Sequence, residues 1–355
     1  MSLVNIVRPE LRALKPYAAA AQVEGMVRLN ANEMPWPRQG DNFRRTLNRY
    51  PEVRPTRLAG MLADRYSCAA DELLVTRGTS EGIDLLMRVC CRAGEDSVLV
   101  PEPTFSMYRH YANIQGARLI EYTTSRSNNF AIDVDAMIDK CDATTRAIFV
   151  CSPNNPTGNL WSHGDLIRLL EARANQSAII VDEAYIEFAN RPSAIELLAG
   201  HDNLVVLRTL SKALACAGAR CGSLIATAPF IELVSAVQAP YAMATPIVEI
   251  IENTLQAENL GETEQFARDI IHERDRLIAA MASFPFVQKT WSSAANFFLV
   301  QVRDAAALLA HCTRHQLLLR YFGGDLADCV RITVGSAEEN RRLLAAFTEL
   351  ADTQA

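Results

Sequence analysis

Apolar runs long enough to cross a bilayer are missing from this 355-residue sequence; none approaches the ~20 residues that a membrane span requires. Basic clusters are missing too. Lys and Arg number 35 against 41 Asp and Glu, a net charge of −6, and no basic run exceeds a couple of residues. Binding to nucleic acid or to an anionic membrane is therefore not favoured. The N-terminus lacks the charged, apolar, small order of a secretory signal, and Met1-Ser2-Leu3 reads in part as a cloning leader. The nine cysteines, an odd number, include no Cys-x-x-Cys pair, and Cys90-Cys91 are adjacent in an apolar helical segment. That usage argues against a disulfide framework and for a reducing cytoplasm. Also absent are a Gly-x-Gly-x-x-Gly or Walker loop for nucleotides and the Gly-x-Ser-x-Gly elbow of hydrolases. No internal repeat or low-complexity tract is present.

What is present is apolar material in quantity, 49% of residues against 21% charged, enough for one large domain and a smaller one. Residues 1–45, with Pro9, Pro16, Pro35 and Pro37, read as an N-terminal arm that joins the small domain and a dimer contact. Residues 46–245 read as the large domain and 246–355 as a small C-terminal α+β domain. In the large domain, short apolar runs at 73–76, 97–100, 117–120, 147–150, 178–181 and 204–207 are separated by several helical stretches, including 58–66, 80–92 and 164–174. This alternation predicts an α/β fold with a mostly parallel central sheet covered by helices, which places ligands in loops beyond the carboxyl ends of the strands. Beyond it, a long helix from about Ile247 to Phe284, a strand at 296–302, a helix at 305–315, a strand at 330–334 and a terminal helix from Glu338 are expected.

Four strand-end loops carry polar residues that an apolar core would not choose. Arg77-Gly78-Thr79-Ser80-Glu81-Gly82 opens a helix, so its glycine and its unpaired N–H groups suit either an ordinary N-cap or an anion. Cys151-Ser152-Pro153-Asn154-Asn155-Pro156-Thr157-Gly158 is turn chemistry that also offers an amide to a phenolic oxygen. Asp182-Glu183-Ala184-Tyr185 puts an acid at the end of a buried strand, as a cap or as the partner of a cation. Thr209-Leu210-Ser211-Lys212 is followed by Arg220, setting an amine beside a hydroxyl and a guanidinium. Together these supply what pyridoxal 5'-phosphate needs. Its phosphate takes N–H groups, a hydroxyl and a guanidinium; its ring nitrogen takes a carboxylate; its aldehyde takes a lysine.

With these motifs in this order the chain resembles the fold-type I pyridoxal-phosphate aminotransferases, and within them the histidinol-phosphate aminotransferase family. The likeness runs from Leu29-Asn30-Ala31-Asn32-Glu33 through Arg49-Tyr50-Pro51 and Pro103-Thr104-Phe105-Ser106-Met107-Tyr108 to Arg331-Ile332-Thr333-Val334-Gly335. The resemblance implies that Lys212 carries the cofactor as a Schiff base and that Asp182 pairs with its ring nitrogen. It implies that Asn155 and Tyr185 bond the ring hydroxyl oxygen, and that Tyr108 stacks on the ring. Thr79, Ser80, Ser211 and Arg220 would hold the phosphate, joined by Tyr50 from the neighbouring subunit of a homodimer. Arg331 would bind the anionic end of the substrates, with Arg320, Tyr17 and Asn32 lining the site. The implied reaction is a ping-pong transamination between an amino donor, histidinol phosphate, and the 2-oxo acid 2-oxoglutarate, with no metal.

Several positions depart from the family pattern. Ser80 stands where relatives often carry an acid, Ala219 replaces a common leucine, and Ser223 replaces a larger residue. Gln238-Ala239-Pro240-Tyr241 lacks an arginine often found before Pro-Tyr. These changes bear on substrate choice more than on the core chemistry. Aromatic transamination, phosphothreonine-type decarboxylation and a non-catalytic cofactor sensor stand as the alternatives. His311 and His315, spaced i and i+4, suggest a metal pair, but without the Glu of a metalloprotease helix they read as an exposed helix face.

Overall fold

The structure is a computed structural model of the chain and describes residues 3–23 and 26–354. Met1 and Ser2, two of the residues read as a leader, lie outside the described residues. Leu3, the third, is fully buried and packs with Ile6 and Val7 into the core, so it belongs to the fold.

Seven strands form the main sheet: β1 (Leu73–Thr76), β2 (Ser97–Glu102), β3 (Arg118–Thr123), β4 (Thr145–Cys151), β5 (Ala178–Asp182), β6 (Leu204–Thr209) and β7 (Gly222–Ile225). Their order is β1-β7-β6-β5-β4-β2-β3, parallel except for β7, which runs antiparallel to both neighbours. Both faces are covered because alternate residues of one strand point to opposite sides. Ile148, Val150, Ile179, Val181, Leu204 and Val206 enter one core, with helices Thr56–Tyr66 and His163–Ala172. Ala147, Phe149, Ala178, Ile180, Val205 and Leu207 enter the other, beneath helices Thr79–Cys90, Met107–Gln115 and Ala228–Val237. Strands buried on both faces read as continuous apolar runs, which is why they were visible in the sequence.

A second sheet holds β8 (Val287–Thr290), β9 (Phe297–Val302), β10 (Arg320–Gly323) and β11 (Leu326–Thr333) in the order β10-β11-β9-β8, all antiparallel. Its core includes Leu277, Met281, Leu308 and Phe347 from helices Ala257–Met281, Ala305–Arg314 and Ala337–Gln354. The single long helix expected from Ile247 is two helices, Thr245–Thr254 and Ala257–Met281, because Gln256 adopts an extended backbone between them. Val248, Ile251 and Leu255 still pack on the large core, whereas Leu277 and Met281 belong to the second. The longer helix thus carries the chain from one core to the other.

The parallel strands β1, β4, β5 and β6 direct the four polar loops to one edge of the sheet. β11 brings an arginine to them from the smaller sheet.

Candidate active site

An anion cradle forms where β1 meets its helix. Gly78 has φ +74°, and a Cβ there would lie 2.6 Å from Nη2 of Arg220. A Cβ on Gly222 would lie 2.9 Å from the Gly78 carbonyl carbon and from the Thr79 nitrogen. Only glycine at both positions lets the guanidinium and β7 approach the helix start this closely. Arg220 reaches the Ser211 hydroxyl at 3.4 Å and the Ala217 carbonyl at 3.1 Å. Ser211 is in turn fixed by Thr209, which accepts from its N–H at 3.2 Å and donates to its Oγ at 3.0 Å. The start of helix Thr79–Cys90, a hydroxyl and a guanidinium therefore converge, the donor set a phosphate requires. The acid nearest this turn, Glu81, is occupied by the Arg77 N–H at 2.6 Å and its guanidinium at 2.7 Å.

Asp182 ends β5 and is 2% exposed. Oδ1 accepts from the Ala184 N–H at 3.2 Å and Oδ2 from the Tyr108 hydroxyl at 2.9 Å. Burial raises its pKa to about 6, against the hydrogen bonds from Tyr108 and Ala184 and the charge of Lys212, which lower it. Tyr108 itself corrects an expectation. Its ring is fully buried, with one face stacked on Phe149 at 4.8 Å and its edge against Phe105 at 5.6 Å. It cannot offer a face to a cofactor, whereas Phe105, three residues earlier, is only half-buried.

Lys212 follows β6, with Nζ 5.6 Å from the centroid of the Tyr185 ring. Desolvation lowers its pKa most, followed by the charges of Arg331 and Arg220, with Asp182 opposing. The Tyr185 hydroxyl accepts from Asn155 Nδ2 at 3.3 Å, and Asn155 Oδ1 accepts from Arg331 Nη1. Arg331 lies over Phe297 at 5.0 Å and Phe322 at 5.7 Å, and its Nε is buried without a partner. Arg320 pairs with it in register across β10 and β11 and also lies over Phe322. Among the described residues, none of Lys212, Arg220, Arg320 and Arg331 makes an ion pair with a carboxylate. One buried acid among four unpaired cations is an environment for a polyanion. These residues fit pyridoxal phosphate.

Tyr50, Tyr17 and Asn32 stand apart from this cluster. Tyr50 stacks on Tyr241 at 4.8 Å, and Tyr17 meets the same ring edge-on at 6.3 Å. No hydrogen bond or ring contact among the described residues joins any of the three to Lys212 or Arg331. Within one chain, therefore, neither Tyr17 nor Asn32 makes a direct contact with Arg331. Both tyrosines are exposed, at 51% and 58% for Tyr50 and Tyr17; Tyr17 lies on the arm, which also exposes Val27, Leu29 and Trp36, and Tyr50 follows it.

The sequence reading missed Phe105 and the two phenylalanines that bracket Arg331, since no local pattern marks a ring that packs on a distant guanidinium. Tyr241 was visible only as a neighbour of Pro240. The exposed-face reading of His311 fails: its ring is buried, with Nε2 2.8 Å from the Ala346 carbonyl and Nδ1 3.2 Å from Arg314. His315 Nε2 lies 3.4 Å from Glu349, and the guanidinium on His311 disfavours a cation there.

The chain belongs to the aminotransferase class I and II family, which it matches over residues 25–347. It is therefore a pyridoxal-phosphate-dependent aminotransferase by class. It is 42% identical to the histidinol-phosphate aminotransferase of Stenotrophomonas maltophilia over 98% of this chain and 96% of that one. The histidinol-phosphate aminotransferase structure from Clostridium acetobutylicum superposes with a TM-score of 0.78 at 24% identity, covering 86% of this chain and 92% of that one. That from Sinorhizobium meliloti, in complex with pyridoxal-5'-phosphate, superposes at 0.76 and 20% identity, covering 87% and 84%. At that identity the two structures support the fold. No helix among the described residues is long and apolar enough to cross a membrane.

Proposed function

We propose that this chain is a histidinol-phosphate aminotransferase of histidine biosynthesis, transferring the amino group of L-histidinol phosphate to 2-oxoglutarate. The observation that carries the reading is the set of four cations without carboxylate partners, Lys212, Arg220, Arg320 and Arg331, gathered with the buried acid Asp182. Two of them, Arg320 and Arg331, lie beyond the cofactor cradle, where a second anion binds.

Bound pyridoxal phosphate supplies an aldehyde and an electron-withdrawing ring. The chain supplies the rest. Backbone N–H groups of Thr79 and Ser80, with Ser211 and Arg220, hold the cofactor phosphate. Asp182 holds the proton on the ring nitrogen, and Asn155 with Tyr185 bonds the ring oxygen. Lys212 Nζ would be the amine that holds the cofactor aldehyde, and the same amine would move a proton at the substrate carbon; its lowered pKa suits a base. Arg331, with Arg320 beside it, takes the phosphate of histidinol phosphate in one half-reaction and a carboxylate of the 2-oxo acid in the other, by bidentate pairing. Phe105 takes the place of Tyr108 as the aromatic facing the cofactor ring.

A homodimer accounts for Tyr50, which is exposed just after the apolar arm, stacks on Tyr241 rather than contacting its own Lys212, and would complete the neighbour's site. The free state of all nine cysteines supports a cytoplasmic setting.

The test is a half-reaction screen that follows cofactor absorbance on adding histidinol phosphate, phenylalanine, tyrosine or phosphothreonine. The reading expects histidinol phosphate to convert the cofactor at the lowest concentration. Preference for an aromatic amino acid, or carbon dioxide release from phosphothreonine, overturns it.

A further inference from the structure

The buried hydroxyl of Tyr108 is left without a task once its ring is not available for stacking. It donates to Oδ2 of Asp182 at 2.9 Å, and the Cys151 side chain is its other hydrogen-bonding neighbour. Phe149 and Phe105 hold the ring in place, so the hydroxyl cannot swing away without opening the core. Buried phenols keep a partner of this kind because an unpaired hydroxyl in an apolar setting is costly.

We propose that Tyr108 is a positioning residue that, through its hydroxyl, holds Asp182 in place as an anion for the ring nitrogen of the cofactor. The proposal rests on the assignment of Asp182 to that nitrogen. Each carboxylate oxygen accepts one hydrogen bond from the protein and retains a second lone pair, so the bond from Tyr108 leaves capacity for the ring N–H. The groups facing Asp182 are Tyr108 from helix Met107–Gln115, Cys151 from β4, Tyr185 from the turn after β5, and Lys212 from the loop after β6. Burial pushes the Cys151 thiol up to about 12, and it donates to the Pro153 carbonyl at 3.3 Å. Tyr185 is raised by burial as well. Lys212 is the nearby cation, but it is the residue that the cofactor consumes as its covalent anchor. Tyr108 is therefore the side-chain donor that stays on Asp182 when Lys212 is engaged. Burial alone drives this carboxyl towards its neutral form, and the Tyr108 bond is the largest influence opposing it.

The experiment measures the cofactor dissociation constants of wild type, Tyr108→Phe and Asp182→Ala between pH 5.5 and 8.5, by equilibrium dialysis of the full chain with pyridoxal phosphate. Tyr108→Phe should bind about as wild type does at pH 8.5 and about tenfold more weakly near pH 6, because the carboxyl now protonates at higher pH. A ratio of the two constants that does not change with pH means the hydroxyl contributes packing only, and overturns the proposal. So does a ratio of one throughout. If removal of the hydroxyl prevents folding, 3-fluorotyrosine at position 108, a stronger donor, should move the acid fall-off in affinity to lower pH; no movement overturns the proposal. Asp182→Ala separates the two levels. Unchanged binding in that variant removes the assignment of Asp182 itself, whereas lost binding with a flat Tyr108→Phe ratio removes only the role of Tyr108.

Discussion

Arg331 on β11 and Arg320 on β10 are register partners on adjacent antiparallel strands, and neither has a carboxylate partner among the described residues. Like charges directly opposite one another weaken a sheet, so the pair is retained at a cost that a bound anion offsets.

The first prediction follows from that pair. Arg331→Ala should weaken both histidinol phosphate and 2-oxoglutarate by about 10- to 100-fold in kcat/KM, the range of a hydrogen bond to a charged group, while cofactor remains bound. Arg331→Lys should restore little, since an ammonium lacks the planar fork that a phosphate or carboxylate meets bidentately. Arg320→Ala should give a smaller loss, because Arg320 is the more exposed of the two. Steady-state kinetics with each substrate varied checks all three; an unchanged KM for either substrate in Arg331→Ala contradicts the assignment.

A second prediction concerns pH and the cofactor-free protein. The Asp182 carboxyl has a folded pKa near 6, above its ordinary 3.8, because of burial. The folded state therefore binds this proton before the unfolded state does. The cost of keeping the buried carboxylate is fully present above pH 6, and it is released as pH falls from 6 towards 3.8, stabilising the fold by about 3 kcal/mol at most. Asp182→Asn removes the titration. Urea unfolding of both cofactor-free proteins at pH 7.5 and pH 5 should show wild type gaining stability relative to the variant at the lower pH. The opposite sign contradicts the account of Asp182.

A third prediction tests the shared site. Lys212→Ala and Tyr50→Ala should each be impaired alone. Mixed and reassociated one to one, half the dimers are hybrids, and each hybrid carries one site with both an intact lysine and an intact tyrosine. About a quarter of wild-type activity should return on the symmetry of a two-fold dimer. No recovery in a verified hybrid contradicts the crossing of Tyr50.

Much of this arrangement could be read from the chain because it is local. Ser211, Lys212 and Arg220 fall in one segment after a fully buried strand, and Asn155, Asp182 and Tyr185 lie at or just after the ends of two others, so order and spacing marked the loops and the family resemblance assigned the residues. Strands β4 to β6 are buried on both faces and announce themselves as apolar runs. β7 has four residues and opens on a glycine, and β10 is largely exposed, so neither carries a period to detect. The break at Gln256 is a backbone change without proline or glycine. Phe105 and Tyr108, three residues apart, show the limit most clearly. Either ring could face a ligand, and only the packing of Tyr108 against Phe149 decides between them.

The most direct test of the account is to reduce the cofactor-loaded protein with borohydride, digest it and locate the pyridoxyl group by mass spectrometry. The account predicts a single modified peptide containing Thr209-Leu210-Ser211-Lys212, with the group on Lys212. Modification at another lysine, or none in protein that retains its cofactor absorbance, would contradict it.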